Sequence, residues 1–318
     1  MDKRILVLVP VEDHHKVILE SATSKAIFTY SSIKTVTKEQ VESTHIVIGN
    51  IPISLLEHAN NLEWLQLNSS GVGAYSRWAL QKNFTLTCAT GIYGLAVSEH
   101  ILGLILSLYK KLYLYRDNQL SQAWVDEGPV KTIEGSIALI VGLGDIGSTL
   151  AKKLKALGAY TIGVRRLDLN KPNYVDELYP TEKLDELLPR ADIITFILPD
   201  TKDTYHLVNE RRLNLMKNDA ILINTGRGSL IDQDALCNVL DTGKLLAVGL
   251  DVTNPEPLPA NHRLWGIKNV IITPHVSGDY HLKETHERLI QLTATNLHAF
   301  FNDKELTSLV DHSTGYRR

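Results

Sequence analysis

IALIVGLGDIGSTLA, residues 137–151, decides how the chain is read. Its first five residues are apolar and partly β-branched, the length and composition of a buried strand. Gly142, Gly144 and Gly147 then spell GxGxxG, and Ile146, Leu150, Leu154 and Leu157 follow at helical steps. In such a turn Gly142 permits the tight reversal, Gly144 lets backbone approach a pyrophosphate, and Gly147 lets helix pack close on strand. The helix N-terminus offers phosphate its unpaired N–H groups and positive dipole end. Three glycines alone often mean only a loop. Strand, turn and helix in the required order make a dinucleotide site the expectation.

The next strand is expected at 160–164, where an NAD site usually ends in an Asp or Glu that accepts from the ribose 2′-OH. Here Arg165 and Arg166 follow, and Asp168 comes one Leu later. Paired guanidiniums fork onto a 2′-phosphate that a carboxylate would repel. NADP(H) is therefore the expected preference, with NAD(H) as second choice. The competing reading leaves both arginines in solvent and gives the ribose to Asp168.

Four more apolar runs, 192–198, 220–223, 245–250 and 270–273, read as buried parallel strands. Ligands of open α/β sheets bind beyond the carboxyl ends of the strands. At or just past those ends stand Leu198-Pro199-Asp200, Asn224-Thr225-Gly226-Arg227-Gly228, Asp251 with Glu256, and Pro274-His275. The chemistry-bearing residues of this half thus share an edge with the glycine turn.

Upstream, strands at 4–9, 45–48, 64–67 and 85–87, with a helix near 14–21, imply a second parallel sheet. The turn 68–73 is either ordinary turn chemistry or a nest of N–H groups for a carboxylate. Residues 99–116 read as one long amphipathic helix, followed by a looser polar stretch, 117–134, carrying Trp124. A hinge near Ser98 gives two domains, 1–98 with 283–318 and 99–282. The apolar helix and its loop suit a homodimer surface.

The length suffices for two domains, and the composition is that of a soluble protein. A net charge of −3 without long runs of one sign argues against nucleic acid or an anionic membrane as partner. The start, MDKRILVLVP, is too short for a signal peptide, and no apolar stretch approaches membrane-spanning length. Cys88 and Cys237 match neither a disulfide framework nor a metal site, so a cytoplasmic protein without metal is expected.

An arginine, a histidine and a glutamate beside a nicotinamide suggest a specific chemistry. Arg227 can hold a carboxylate or carbonyl oxygen by two parallel N–H bonds. His275 can give a proton to a carbonyl oxygen as hydride reaches the carbon. Glu256 on the other ring nitrogen would fix the tautomer and favour the protonated ring. Asp251 could accept from the nicotinamide carboxamide. Each has a bland reading too: a plain surface arginine, against which Gly226 and Gly228 bare the backbone around it, a stiff Pro-Glu-Pro connector, and one polar histidine among twelve. His14, His15, His58, His281, His286 and His298 read as surface.

VGLGDIGSTLA, LPDTKDTYHLVN, LINTGRGSLIDQDAL, LDVTNPEPLP and VIITPHVSG, with LNSSGVG and GIYGLAVSEH, together resemble the D-isomer-specific 2-hydroxyacid dehydrogenases. The resemblance spans nearly the whole chain. It implies two Rossmann-like α/β domains with an active site in the cleft between them, and a dimer. It implies Arg227 as the substrate-orienting arginine, Glu256 as the acid paired with histidine, and His275 as acid–base. It implies Ser70, Gly71 and Val72 as a carboxylate cradle, and Asp145, Ile146, Thr225, Gly226, Arg227, Asp251 and Gly278 as cofactor contacts. The arginine pair is similar to that of NADPH-using glyoxylate and hydroxypyruvate reductases. Thr253 stands where an aromatic is common, which implies a more polar wall. The expected reaction is reduction of a small 2-ketoacid to the D-2-hydroxyacid. The alternatives are a nicotinamide-sensing corepressor on the same fold, or a different acid such as formate.

Overall fold

A computed structural model describes residues 2–166, 170–311 and 316–317; Asp168 lies outside them. Two compact units divide the chain, Met1–Tyr93 with Leu282–Arg318, and Gly94–His281.

The first unit contains β1 (Lys3–Val7), α1 (Asp13–Ser21), β2 (Ala26–Tyr30), α2 (Lys38–Glu42), β3 (Ile46–Ile48), β4 (Trp64–Gln66), α3 (Tyr75–Lys82) and β5 (Thr85–Thr87). The five strands of its sheet are all parallel, in the order β2-β1-β3-β4-β5. β3 and β4 are buried at every position, which is why they read as short apolar runs. β2, unanticipated from sequence, is an edge strand with alternating part-buried and exposed residues.

The second unit contains α4 (Gly94–Tyr109), α5 (Leu112–Leu120), β6 (Ile137–Val141), α6 (Asp145–Ala156), β7 (Tyr160–Val164), β8 (Glu177–Tyr179), α7 (Leu184–Leu187), β9 (Ile193–Phe196), α8 (Glu210–Leu215), β10 (Ile221–Asn224), α9 (Gln233–Asp241), β11 (Ala247–Leu250) and β12 (Val270–Ile272). Its seven parallel strands run β12-β11-β10-β9-β6-β7-β8. The order reverses at β6, which pairs with β7 on one side and β9 on the other. A crevice at such a switch point is where open α/β sheets bind their ligands. The last helix, α10 (Lys283–Phe300), belongs to the first unit and packs on α1.

One expected element is corrected. The single helix at 99–116 is two, because Lys111 takes a left-handed conformation (φ 56°) and ends the first. Lys110 Nζ donates to Lys131 O at 2.7 Å and Lys111 Nζ to Glu127 O, so both lysines anchor the following segment at the break. Among the described residues no helix is long and apolar enough to cross a membrane.

Candidate active site

The glycine turn has the geometry its sequence implies. Gly142 has φ +109°, and a Cβ there would stand 2.3 Å from Ile197 O of the chain leaving β9. A Cβ on Gly147 would lie 2.0 Å from Gly142 O, so only glycine lets α6 start this close to β6. Gly144 is the opposite case: a Cβ there meets nothing within 4 Å, which leaves the face above the turn open. Thr225, 8% exposed at the end of β10, has a buried hydroxyl with no partner among the described residues, and Asp145 Oδ2 is in the same state. Buried polar atoms are normally paired, so a cradle of this shape fits a dinucleotide that brings its own donors and acceptors. Arg165 and Arg166 follow β7 at the same edge of the sheet; Arg165 Nη2 donates to Asn170 O at 2.7 Å.

Arg227 lies in a turn shaped by Asn224, whose side chain donates to Arg227 O at 2.9 Å and accepts from Gly226 N at 3.1 Å. The guanidinium gives one N–H to Gly226 O at 2.6 Å and has no carboxylate partner among the described residues. The flanking glycines do not bare the backbone, as the sequence suggested. A Cβ on Gly226 would stand 2.6 Å from Leu198 O, and one on Gly228 would stand 1.9 Å from Thr253 O. They let the arginine turn press against neighbouring loops, one of which carries Glu256.

That loop is held from several sides. Gln233, in the first turn of α9, accepts from Asn254 N at 3.2 Å and donates to Asn254 O. Glu256 Oε1 accepts from Thr253 N at 3.1 Å, leaving Oε2 to His275 Nδ1 at 2.8 Å. The Thr253 hydroxyl donates to Pro255 O at 2.9 Å and the residue is 8% exposed, so it gives the wall no polar group. His275 is half exposed and itself left-handed (φ 52°).

Asp251 holds that strained histidine in place. Its carboxylate accepts from Thr273 Oγ1 at 2.6 Å, Val276 N at 3.0 Å and Ser277 N at 3.1 Å, while its carbonyl accepts from His275 N at 2.8 Å. Burial works against its ionisation, but the bonds from Ser277, Thr273 and Val276 outweigh it and hold the carboxyl below the ordinary range. Thr273 Oγ1 gives its proton to Asp251, so it accepts from His100 Nε2, 3.0 Å away on α4. Gln233, Thr273 and His100 were not singled out from sequence. Their partners are mostly backbone groups or one another, and no spacing motif announces them.

In the first unit the turn after β4 carries Ser70, Gly71 and Val72. Asn50 fastens its base, with Asn50 N donating to Asn68 Oδ1 at 2.7 Å and Asn50 Nδ2 to Ser69 Oγ at 3.1 Å. Among the described residues, none of the backbone N–H groups of Ser70, Gly71 and Val72 donates a hydrogen bond. Consecutive unpaired N–H groups are the raw material of an anion nest. His15, read as surface, is 1% exposed under α10. Trp124 is fully exposed.

Residues 102–277 match the family described as D-isomer specific 2-hydroxyacid dehydrogenase, NAD binding domain. A glyoxylate reductase of Thermofilum pendens is 32% identical over 277 residues, covering 84% of this chain and 80% of the relative. A D-isomer specific 2-hydroxyacid dehydrogenase family protein of Aeromonas salmonicida superposes with a TM-score of 0.88 at 31% identity, over 98% of this chain and 100% of that one. An NADPH-dependent glyoxylate/hydroxypyruvate reductase of Sinorhizobium meliloti, solved with NADP and malonate, gives 0.77 at 26% identity over 100% and 99%. With the glycine turn at the sheet's switch point and these likenesses along its length, the chain belongs to the D-isomer-specific 2-hydroxyacid dehydrogenases and is an NAD(P)-dependent oxidoreductase.

Proposed function

We propose that this chain reduces a small 2-ketoacid, glyoxylate or hydroxypyruvate in particular, to the D-2-hydroxyacid at the expense of NADPH. The observation that carries this reading is the His275 Nδ1–Glu256 Oε2 contact of 2.8 Å, which leaves Nε2 for substrate. Gly142, Gly144, Asp145, Ile146 and Gly147 would hold the dinucleotide's pyrophosphate, with Leu198, Pro199, Thr225, Gly226 and Gly278 as further contacts, and the reduced nicotinamide would supply the hydride. Arg227 holds the substrate carboxylate in a two-pronged grip, and within the first unit the N–H groups of Ser70, Gly71 and Val72 are the proposed carboxylate nest. His275 Nε2 supplies the proton with which the carbonyl oxygen becomes a hydroxyl. Glu256 keeps Nδ1 protonated and the ring aimed. Asp251 acts through the loop it clamps, as a positioning residue. Loss of NADPH absorbance with glyoxylate, hydroxypyruvate, pyruvate and bulkier 2-ketoacids tests the reading. Glyoxylate and hydroxypyruvate should turn over fastest, and turnover of none of these 2-ketoacids overturns it.

The cofactor preference follows from Arg165 and Arg166. One charge-assisted bond is worth about 1.5–3 kcal/mol, so kcat/KM with NADPH should exceed that with NADH by about 10–100-fold. The double variant Arg165→Ala, Arg166→Ala should bring the ratio near one. An equal or NADH-favouring ratio in the unaltered chain contradicts the assignment.

Leu112, Leu120, Trp124, Val125 and Val130 are more than half or about half exposed along α5 and the segment after it. Apolar area of this kind calls for cover, and a second copy of this chain is the proposed one. Light scattering should return twice the 35.5 kDa chain mass, and Trp124→Glu should shift it toward one chain. Cys88 and Cys237 are free and buried, in keeping with a reducing cytoplasmic setting.

A further inference from the structure

Within the first unit, α1 and α10 bring three ligand-type side chains to one point. His14 Nε2 and His15 Nε2 lie 3.1 and 3.2 Å from the same atom, Glu287 Oε1, and all three atoms fall within 4.8 Å of one another. We propose that His14, His15 and Glu287 form a binding site for a borderline divalent cation of the Zn2+ type, tying α1 to the N-terminal part of α10.

The spacing is that of a coordination sphere. Two ligands of a tetrahedral zinc, each at about 2.0–2.1 Å, stand about 3.3 Å apart. The remaining ring nitrogen of His14 also has the partner a metal-bound imidazole usually has: Nδ1 faces Glu12 Oε2 at 3.5 Å. His286 packs edge-on against His15, centroids 4.5 Å apart, and its Nε2 donates to Pro10 O at 2.7 Å, which closes one side of the site. Two imidazoles and a single carboxylate select Zn2+, Co2+ or Ni2+ over Mg2+ and Ca2+, which need oxygen ligands in larger number.

Loading requires one rearrangement. Without a cation, His15 Nδ1 accepts from Glu12 N at 3.1 Å, so Nε2 carries the proton and donates it to Glu287. The cation takes the Nε2 lone pair, the ring proton moves to Nδ1, and the Glu12 N–H passes to water, since Glu12 is exposed. What is lost is the Glu12–His15 hydrogen bond and the two ring bonds to Glu287 that the cation replaces. What is gained is a tie between residues some way from each end of the chain. Glu287 begins that tie five residues after the chain enters the first unit again at Leu282.

The test is calorimetric titration of the chelator-stripped full chain with Zn2+, with thermal unfolding and the visible spectrum of the Co2+ form alongside. Expected are saturable one-to-one binding, a Tm that rises with Zn2+, and tetrahedral Co2+ bands. His14→Ala and Glu287→Gln should each weaken binding by about tenfold or more. Both positions are partly exposed, so the variants keep their fold, which circular dichroism checks. His275→Ala, which removes the other imidazole–carboxylate pair on which the cation could settle, should bind Zn2+ unchanged. No saturation up to about 1 mM Zn2+, or less than about a tenfold loss in both variants, overturns the proposal.

Discussion

Replacing His275 by alanine lowers kcat for ketoacid reduction by about 10²–10⁴-fold, the contribution typical of one well-placed general acid. NADPH binding stays near that of the unaltered chain, because the glycine turn and the arginine pair lie on other strands. The side chain is half exposed and buries little apolar surface, so the variant folds. Glu256→Gln should cost less, about tenfold, since the amide still reaches Nδ1 but gives it a weaker, uncharged hydrogen bond. Steady-state kinetics with a fluorescence titration of NADPH separates the outcomes. Loss of cofactor binding in both variants would mean that the imidazole supports the dinucleotide site and is not the proton donor.

Arg227→Ala should cost nearly as much, about 10²–10³-fold in kcat/KM, and the loss should appear with every 2-ketoacid tried. Two charge-assisted bonds of about 1.5–3 kcal/mol each set that scale, less the portion that water recovers. Arg227→Lys keeps the charge and loses the fork, so it should recover only part of the rate. Among the described residues one guanidinium N–H group is spent, on Gly226 O, which leaves a forked pair for substrate. Should Arg227→Lys equal the unaltered chain, the arginine supplies a field and not an oriented grip.

The buried strands β6 and β9 to β11 were legible because a strand covered on both faces reads as an unbroken apolar run, and the edge strand β12 because its part-exposed residues are Val, Ile and Ile. β2 and β8 were not, for the same reason inverted: each is a short edge strand with part-exposed side chains. The break at Lys111 escaped because the apolar periodicity runs through it, and what ends the helix is a backbone angle stabilised by distant carbonyls. At the site, Arg227, Glu256 and His275 declared themselves by residue type and by their places past strand ends. The groups that aim them did not. Asp251 was legible as a strand-end acid, but its grip on Thr273, Val276 and Ser277 is a fact of loop conformation. His15 was misread as surface because its cover, α10, lies some 270 residues away in sequence. Thr253 was misread as a polar wall because its hydroxyl turns inward to Pro255 O.

A crystal structure of the chain with NADP and oxamate, a carboxylate that mimics a 2-ketoacid, bears most directly on the chemistry. The expected result puts the oxamate carboxylate on two Arg227 nitrogens and its amide oxygen about 2.6–3.2 Å from His275 Nε2, with Nδ1 still on Glu256. An oxamate held elsewhere, or a ring whose Nε2 faces away from it, contradicts His275 as the proton donor.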